Sequence, residues 1–382
     1  MNILASARSL QATVGARATA IEAARCFPAD LAHTMAEAGL FRMAVPKSLG
    51  GLEVDATTLC QAIELIAEAD ASSGWCLMIG ATSALVAAFL PRSAAQDIFA
   101  SPTTIIGGVV APLGRAVRDH DLYHLSGRWP WASGSRNCQW LMGGSAIIED
   151  GTPRRLPSGM LDNRLLIFPA EDATLIDSWF VAGLCGTGSG EMEVANIRVP
   201  VTHSLSLLTD KPVEPGPLYA VPIFGLLALG IGAVMLGNAR AAVADLIELA
   251  GGKTPQGSKR PLAERATVQA GLADSTAQLH AARAWFYETI GNAWQLATER
   301  GEIPIDARAA LRLAATHATR VSAAVVRAMY DLGGGSSVHL SHPLQRRFRD
   351  AHVGTQHAMV SPATLELAGR ILMGLPTDTA QL

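Results

Sequence analysis

Apolar positions recur every three or four residues in the first part of the chain, which is the spacing of helices buried on one face. The clearest run is Leu31, Met35, Ala38 and Leu40. A second helix is predicted to begin near Asp55, and a third covers 75–90, with Ser72 or Ser73 as its N-cap. Glycine and proline turns separate these helices. The pattern predicts a helical N-terminal domain over residues 1–102.

Short runs of β-branched and aromatic residues replace the helical spacing over residues 103–208. The predicted strands are 104–106, 122–125, 140–142, 147–148, 165–168, 179–181 and 197–199. Gly, Pro and Asp separate them at the spacing of a small antiparallel barrel. Residues 207–221 are rich in proline and are predicted to be a linker.

Long helical segments return after this linker. They are predicted over 222–251, 261–300, 304–332 and 343–373. Consecutive long helices are typical of a four-helix bundle, which would occupy residues 209–382. The predicted fold class is therefore α+β and mostly helical: an N-terminal helical domain, a central small antiparallel β-barrel and a C-terminal four-helix bundle.

The stretch 215–239 carries no charge and is long enough to span a bilayer. Three prolines, Pro215, Pro217 and Pro222, occupy its start, and the helix is predicted to run on to polar Asp245. A helix buried at the centre of the bundle is therefore favoured over a membrane span.

The composition limits the choice of partners and location. The formal net charge of −3 argues against an electrostatic nucleic-acid footprint. Hydrophobic residues make up 49% and charged residues only 16%, which predicts extensive burial between subunits. The five cysteines are scattered without any CxxC spacing, which favours reduced thiols in the cytoplasm and no metal site.

Candidate chemistry is concentrated in the last helical segment, where Arg349-Asp350 is followed seven residues later by His357. Taken alone, such a histidine on an apolar face is usually a core residue. The phrases that change this interpretation are Glu37 to Phe41, Val45-Pro46, Gly50-Gly51, Ala71 to Trp75, Leu125 to Trp129, Gly186 to Ser189, Val199-Pro200 and Leu344 to Arg346. In this order and spacing, the chain resembles the acyl-CoA dehydrogenase superfamily over essentially its full length.

Two branches of that superfamily differ in their active-site residues. The dehydrogenases need a carboxylate base, commonly a few residues after the Arg-Asp pair, but the corresponding stretch 355–359 has none. The alternative site, in 224–244, also lacks a carboxylate. The phrase Trp131 to Gly134 and the position of His357 instead resemble the oxygenase component of two-component flavin monooxygenases. Such oxygenases are similar to the hydroxylases of hydroxyphenylacetate, dibenzothiophene, indole and phenolic seco-steroids.

This resemblance implies a set of site residues. In such enzymes reduced flavin and oxygen form a C4a-hydroperoxide, which Ser133 would protect by donating a hydrogen bond and Trp131 by excluding water. His357 would act as base on the substrate. The implied cofactor-binding residues are Gly108, Trp131, Ala132, Ser133, Gly134, Thr187, Gly188, Ser189, Arg260, Gly334 and Gly335. The implied substrate pocket consists of Trp75, Thr82, Ser83 and His357.

The implied partners are a small aromatic or polycyclic substrate, further copies of the chain in a homotetramer, and a separate NAD(P)H-dependent flavin reductase supplying FMNH2 or FADH2. A reductase is expected because Gly186 to Gly190 lies between predicted strands and is not a nicotinamide fingerprint. Many oxygenases of this branch carry a second pocket histidine where this chain has Ala81 to Ser83. Two alternatives stay open: a flavin dehydrogenase or oxidase with a displaced base, and a non-catalytic relative.

Overall fold

The computed structural model describes residues 2–380 and 382, and its architecture confirms the predicted fold class. Five helices come first, a sheet follows, and six further helices complete the chain. The first five are α1 (Ile3–Ala24), α2 (Ala29–Glu37), α3 (Ala56–Ala69), α4 (Ala71–Ser83) and α5 (Arg92–Ile98). The other six are α6 (Pro217–Ala220), α7 (Ile223–Gly252), α8 (Ala266–Arg300), α9 (Ile305–Gly333), α10 (Pro343–Gly354) and α11 (Pro362–Leu372).

The central sheet is mixed, whereas the sequence predicted a wholly antiparallel barrel. Its strands are β1 (Ile106–Asp119), β2 (Leu122–Trp129), β3 (Trp140–Glu149), β4 (Thr152–Pro153), β5 (Asn163–Pro169), β6 (Thr174–Ile176), β7 (Glu191–Pro200) and β8 (Ser204–Leu205). Along the sheet the order is β6-β7-β2-β1-β3-β5-β8, with β4 paired to β3. Strand β2 pairs antiparallel with one edge of β1. The chain then crosses to the opposite edge of β1, where β3 pairs with it in parallel.

Trp129 fills the middle of the sheet's core, where it is completely buried. Its indole N–H donates to the Gly144 carbonyl at 2.8 Å. Gly127 leaves room for this ring, since a Cβ there would lie 2.4 Å from it. The packing of Trp129 therefore explains the glycine in the phrase Ser126 to Trp129.

Helix α7 is the central element of the bundle, as its uncharged sequence predicted. Two segments, Ala71–Ala88 and Ile223–Gly252, are long and apolar enough to cross a membrane, but 89% and 83% of their most apolar windows are buried inside the protein. A Cβ at Gly237 would lie 2.3 Å from the Glu64 carbonyl oxygen of α3, so glycine allows the two helices to approach closely. Both segments are therefore core helices of this fold.

Three local predictions are wrong. Asp70 caps α4, its carboxylate accepting the Ser73 N–H at 2.8 Å, in place of Ser72 or Ser73. Residues 179–181 form no strand. The predicted helix 343–373 is broken into α10, a short 3-10 turn at 358–360 and α11. His357 lies at the break, and Pro362 opens the next helix, because proline is tolerated in a first helical turn.

A buried charge network joins the N-terminal helices to the bundle. Glu64 of α3 is 1% exposed and accepts hydrogen bonds from Arg240 at 3.1 Å, from Arg283 at 2.7 Å and from the Tyr287 hydroxyl. These three donors come from α7 and α8. A buried carboxylate is tolerated when charged donors surround it, and this one links α3 to α7 and α8.

Candidate functional site

Trp75 of α4 connects the two residues that the sequence singled out as catalytic. Its indole N–H donates to the Ser133 hydroxyl at 3.2 Å. Its ring also meets the His357 ring edge to face, with centroids 5.7 Å apart and planes at 60°. Ser133 and His357, which are 224 positions apart, are therefore both in contact with one indole.

Ser133 belongs to a chain of buried hydroxyl groups. Its oxygen lies 2.6 Å from the Ser189 hydroxyl, which lies 2.6 Å from that of Thr187. Thr187 donates its proton to the Leu184 carbonyl at 2.7 Å. Because each hydroxyl has one proton, Ser189 donates to Thr187 and Ser133 donates to Ser189, while Ser133 accepts from Trp75. The chain thus runs in one direction, from the indole to a backbone carbonyl.

Two glycine-containing loops bring these hydroxyls together. The Gly134 N–H donates to the Thr187 carbonyl at 2.9 Å, and the Ala132 N–H donates to the Gly190 carbonyl at 2.9 Å. Gly134 and Gly188 have φ values of 69° and 55°, in the left-handed region that glycine adopts without strain. The phrases Trp131 to Gly134 and Gly186 to Ser189 are therefore adjacent in space.

These loops suit the polar edge of a flavin ring. The isoalloxazine ring of a flavin is flat, with apolar faces, and one of its edges carries hydrogen-bond donors and acceptors. The three hydroxyls form a buried polar cluster, and Trp131, an aromatic residue at φ 64°, is 66% exposed at the entrance of the same loop. Each hydroxyl proton is already donated within this cluster, so Ser133 would have to turn its proton away from Ser189 in order to donate to such a ring.

His357 is partly buried at the start of the 3-10 turn and has a defined tautomer. Its Nδ1 accepts the Met359 N–H at 3.2 Å. A neutral imidazole then carries its proton on Nε2. Burial, together with the nearby positive charge of Arg312, lowers the pKa of His357 to about 4. At neutral pH His357 is therefore an uncharged ring that offers an N–H.

Arg312 is a site neighbour that sequence reasoning missed. It lies on α9, is 3% exposed, and donates to the Phe224 carbonyl at 3.1 Å and to the Met359 sulfur at 3.1 Å. A signal was present, because Arg312 shares a helical face with the buried residues Ala315 and Thr316. Other arginines on the same helix, such as Arg320 and Arg327, are exposed, so the residue type alone did not distinguish Arg312.

Helix α10 holds the loop that carries Thr187. The Asp350 carboxylate accepts the Leu184 N–H at 2.6 Å, and Arg349 donates to the Ala182 carbonyl at 2.7 Å. Gly183 packs directly on this helix, since a Cβ there would lie 2.4 Å from the backbone of Arg349. The Arg-Asp phrase thus positions the hydroxyl chain from the bundle side.

Burial gives Asp350 an unusual titration, from which we derive a pH-dependent prediction. Desolvation raises the pKa of Asp350 to about 7, although the Leu184 N–H opposes the shift. Between pH 4 and 7 the folded state therefore keeps a proton that the unfolded state has lost, and this residue reduces stability as pH rises. We expect Asp350→Asn to gain stability relative to the unmodified protein by roughly 1.4 kcal/mol per pH unit across that window.

Urea unfolding of both proteins at several pH values between 5 and 8 measures this difference. Asn keeps the oxygen that accepts the Leu184 N–H, so the substitution is a conservative one. Two stability curves that stay parallel over this range would show that Asp350 does not titrate there.

The remaining implied site residues are more dispersed. Thr82 is buried but donates to the Met78 carbonyl of its own helix at 2.7 Å, and Ser83 ends that helix. Gly108 pairs with Met142 inside the sheet, where a Cβ would lie 2.1 Å from the Met142 carbonyl. Arg260 is exposed in the loop before α8, and Gly334-Gly335 form a turn after α9. Their roles stay predictions.

Comparison with known proteins places this geometry in a family. Residues 2–97 match the acyl-CoA dehydrogenase N-terminal domain and residues 229–362 match the C-terminal domain. An indole-3-acetate monooxygenase of Pseudomonas putida is 33% identical over 88% of this chain and 84% of its own length. The oxygenase subunit HsaA, a flavin-dependent monooxygenase of Mycobacterium tuberculosis, is 27% identical over 98% of this chain and 96% of its own.

One solved structure matches this chain over its whole length. The crystal structure of 3-HSA hydroxylase from Rhodococcus sp. RHA1 superposes with a TM-score of 0.91 at 26% identity and covers 100% of this chain and 99% of that one. The relatives are monooxygenases, as the missing dehydrogenase carboxylate and the Trp131 to Gly134 phrase predicted. The chain therefore belongs to the acyl-CoA dehydrogenase superfamily and, within it, to the flavin-dependent monooxygenases.

Proposed function

We propose that this protein is an oxygenase component that hydroxylates a small aromatic molecule, using FMNH2 or FADH2 supplied by a separate NAD(P)H-dependent reductase. The observation that carries the proposal is the contact of Trp75 with both the Ser133 hydroxyl chain and His357. The hydroxyl chain would lie along a flavin edge, and the neutral imidazole would meet the substrate. When bound, reduced flavin supplies the activation of molecular oxygen for transfer of one oxygen atom.

The protein's own residues would orient and shield the reactants. Ser133 would lie beside the flavin edge, oriented by Trp75 and Ser189, and would donate to the flavin once its proton turned away from Ser189. Ala132, Gly134, Thr187 and Gly188 build the loop surface, and Trp131 covers it against water. Thr82 and Ser83 would extend the substrate pocket along α4 from Trp75. Gly108, Arg260, Gly334 and Gly335 are proposed as more distant flavin contacts.

For His357 the contacts support a hydrogen-bond donor better than a base. Its Nδ1 is occupied by the Met359 N–H, and its low pKa makes it a weak proton acceptor at pH 7. We propose that Nε2–H donates to a polar atom of the substrate and orients the ring. The base role implied by the family resemblance requires the Met359 hydrogen bond to break first.

A reductase-coupled assay tests this function. Indole-3-acetate, the substrate named for the Pseudomonas putida relative, is the first compound to test. We expect a hydroxylated product in proportion to the oxygen consumed, with little hydrogen peroxide released. Oxygen consumption that yields only peroxide for a panel of indoles and phenols would oppose the proposal, and a protein that purifies with tightly bound yellow flavin would favour the dehydrogenase or oxidase alternative.

We also propose a homotetramer located in the cytoplasm. The bundle exposes an apolar groove of about 470 Å³ between α8, α9 and α11, lined by Trp285, Leu313 and Leu365 among others. Leu372 and Met373 at the end of α11 are also exposed, at 78% and 76%. Gln278, His317 and Arg320 also line this groove, and exposed apolar side chains with a polar rim are typical of protein interfaces.

Light scattering at micromolar protein concentration checks the assembly. We expect a single species of four subunits, because an obligate interface buries the apolar surface that a lone subunit would expose to water. A monodisperse monomer would contradict the proposed homotetramer but would not test the proposed activity of the subunit.

A further inference from the structure

Arg312 differs from the buried arginines Arg42 and Arg347 in having fewer oxygen acceptors. Arg42 donates to the carbonyls of four residues, and Arg347 pairs with Asp245. Arg312 has one carbonyl, Phe224, and the sulfur of Met359, and its Nε has no partner. In the described part of the chain, no Asp or Glu oxygen lies within 4.0 Å of its guanidinium.

A buried guanidinium in this state is incompletely satisfied. It carries five N–H donors and stays charged at any physiological pH. A buried charge without a counter-ion is costly, and burial lowers the pKa of Arg312. Arg42 also lacks a carboxylate partner, but its carbonyl acceptors satisfy it, whereas the unpartnered Nε of Arg312 leaves room for a further acceptor.

The position of Arg312 limits what that acceptor can be. Arg312 touches Met359, whose N–H bonds to His357, and its positive charge is close enough to His357 to lower the pKa of that ring further. Arg312 therefore neighbours His357, and no contact joins it to the hydroxyl chain of Ser133, Ser189 and Thr187 in the described residues. An anion bound to Arg312 would thus lie close to the ligand that His357 meets.

We propose that Arg312 is the carboxylate anchor of the substrate pocket, and that the preferred substrates are aromatic rings bearing a short carboxylate side chain. This inference rests on the proposed function. A guanidinium matches a carboxylate in a planar two-point contact that a neutral substituent cannot reproduce. Arg312 would hold the carboxylate, and His357 Nε2–H would orient the ring toward the flavin.

The test compares indole-3-acetate with indole-3-acetamide, which has the same shape and no charge. We expect the unmodified protein to prefer the acid, and Arg312→Met to lower the acid-to-amide ratio of kcat/KM by roughly 100-fold, mainly through the KM of the acid. Arg312→Lys keeps the charge and should recover part of this ratio. The control, Arg327→Met on the same helix, changes a residue whose side chain is 70% exposed and should leave the ratio unaltered.

A binding measurement separates this inference from the proposed function. Equilibrium dialysis of indole-3-acetate against the purified proteins should show weaker binding to Arg312→Met by a similar factor, whether or not any product forms. Equal losses for acid and amide would overturn the inference, as would an unmodified protein that prefers the amide. Weaker binding of reduced flavin to Arg312→Met, with an unchanged acid-to-amide ratio, would assign the anion to the flavin and also overturn it. If neither compound is hydroxylated but the acid still binds more weakly to Arg312→Met than to the unmodified protein, the result would count against the proposed function and not against this inference.

Discussion

His357→Ala is expected to lower product formation by roughly 100-fold or more while oxygen consumption continues. The physical reason is the loss of the Nε2–H donor that meets the substrate, while the hydroxyl chain at Ser133 stays intact. Oxygen should then be released as hydrogen peroxide. Measuring product and peroxide per oxygen consumed checks this result. A full product yield from His357→Ala would show that His357 contributes to packing only.

His357→Gln separates a donor from a base. A glutamine amide can donate a hydrogen bond but cannot accept a proton at neutral pH. If His357 acts as a donor, the glutamine variant should stay within about tenfold of the unmodified protein, whereas a general base contributes roughly 100- to 10,000-fold and the variant would then resemble alanine. Since the pKa of His357 is about 4, we also expect no titration of this residue in the product yield between pH 6 and 8.

The second large effect is expected on stability. Glu64→Ala should lower the free energy of unfolding by about 3 kcal/mol, because it removes the one acceptor shared by Arg240, Arg283 and Tyr287. The two arginine side chains are 37% and 36% exposed and can reach water, so the loss lies at the lower end for a broken buried ion pair. Chemical denaturation of the purified protein measures it.

Glu68→Ala is the matched control for this prediction. Glu68 lies one helical turn further along α3 and pairs with the same Arg240 at 3.0 Å, but its side chain is 27% exposed. A more exposed pair of this kind contributes at most about 1 kcal/mol. Equal destabilisation by the two substitutions would show that burial of Glu64 does not set the strength of the network.

The amino-acid sequence alone determined the kind and order of the elements and the branch of the family. Helical spacing before residue 102 and after 222, with β-rich runs between, predicted the fold class correctly because backbone periodicity is a local property. The missing carboxylate in 355–359 and the Trp131 to Gly134 phrase excluded a dehydrogenase of the usual kind. These conclusions required only residue identities and spacings, which the amino-acid sequence contains.

Only the tertiary structure decided which groups meet. The contact of Ser133 with Ser189 and the missing counter-ion of Arg312 depend on which distant segments pack together. The tautomer of His357 and the cap at Asp70 rest on short-range hydrogen bonds, but the local sequence offers several suitable partners and does not choose among them. A hydrogen bond depends on distances of a few tenths of an ångström, which packing of the whole chain sets and which a local pattern does not contain.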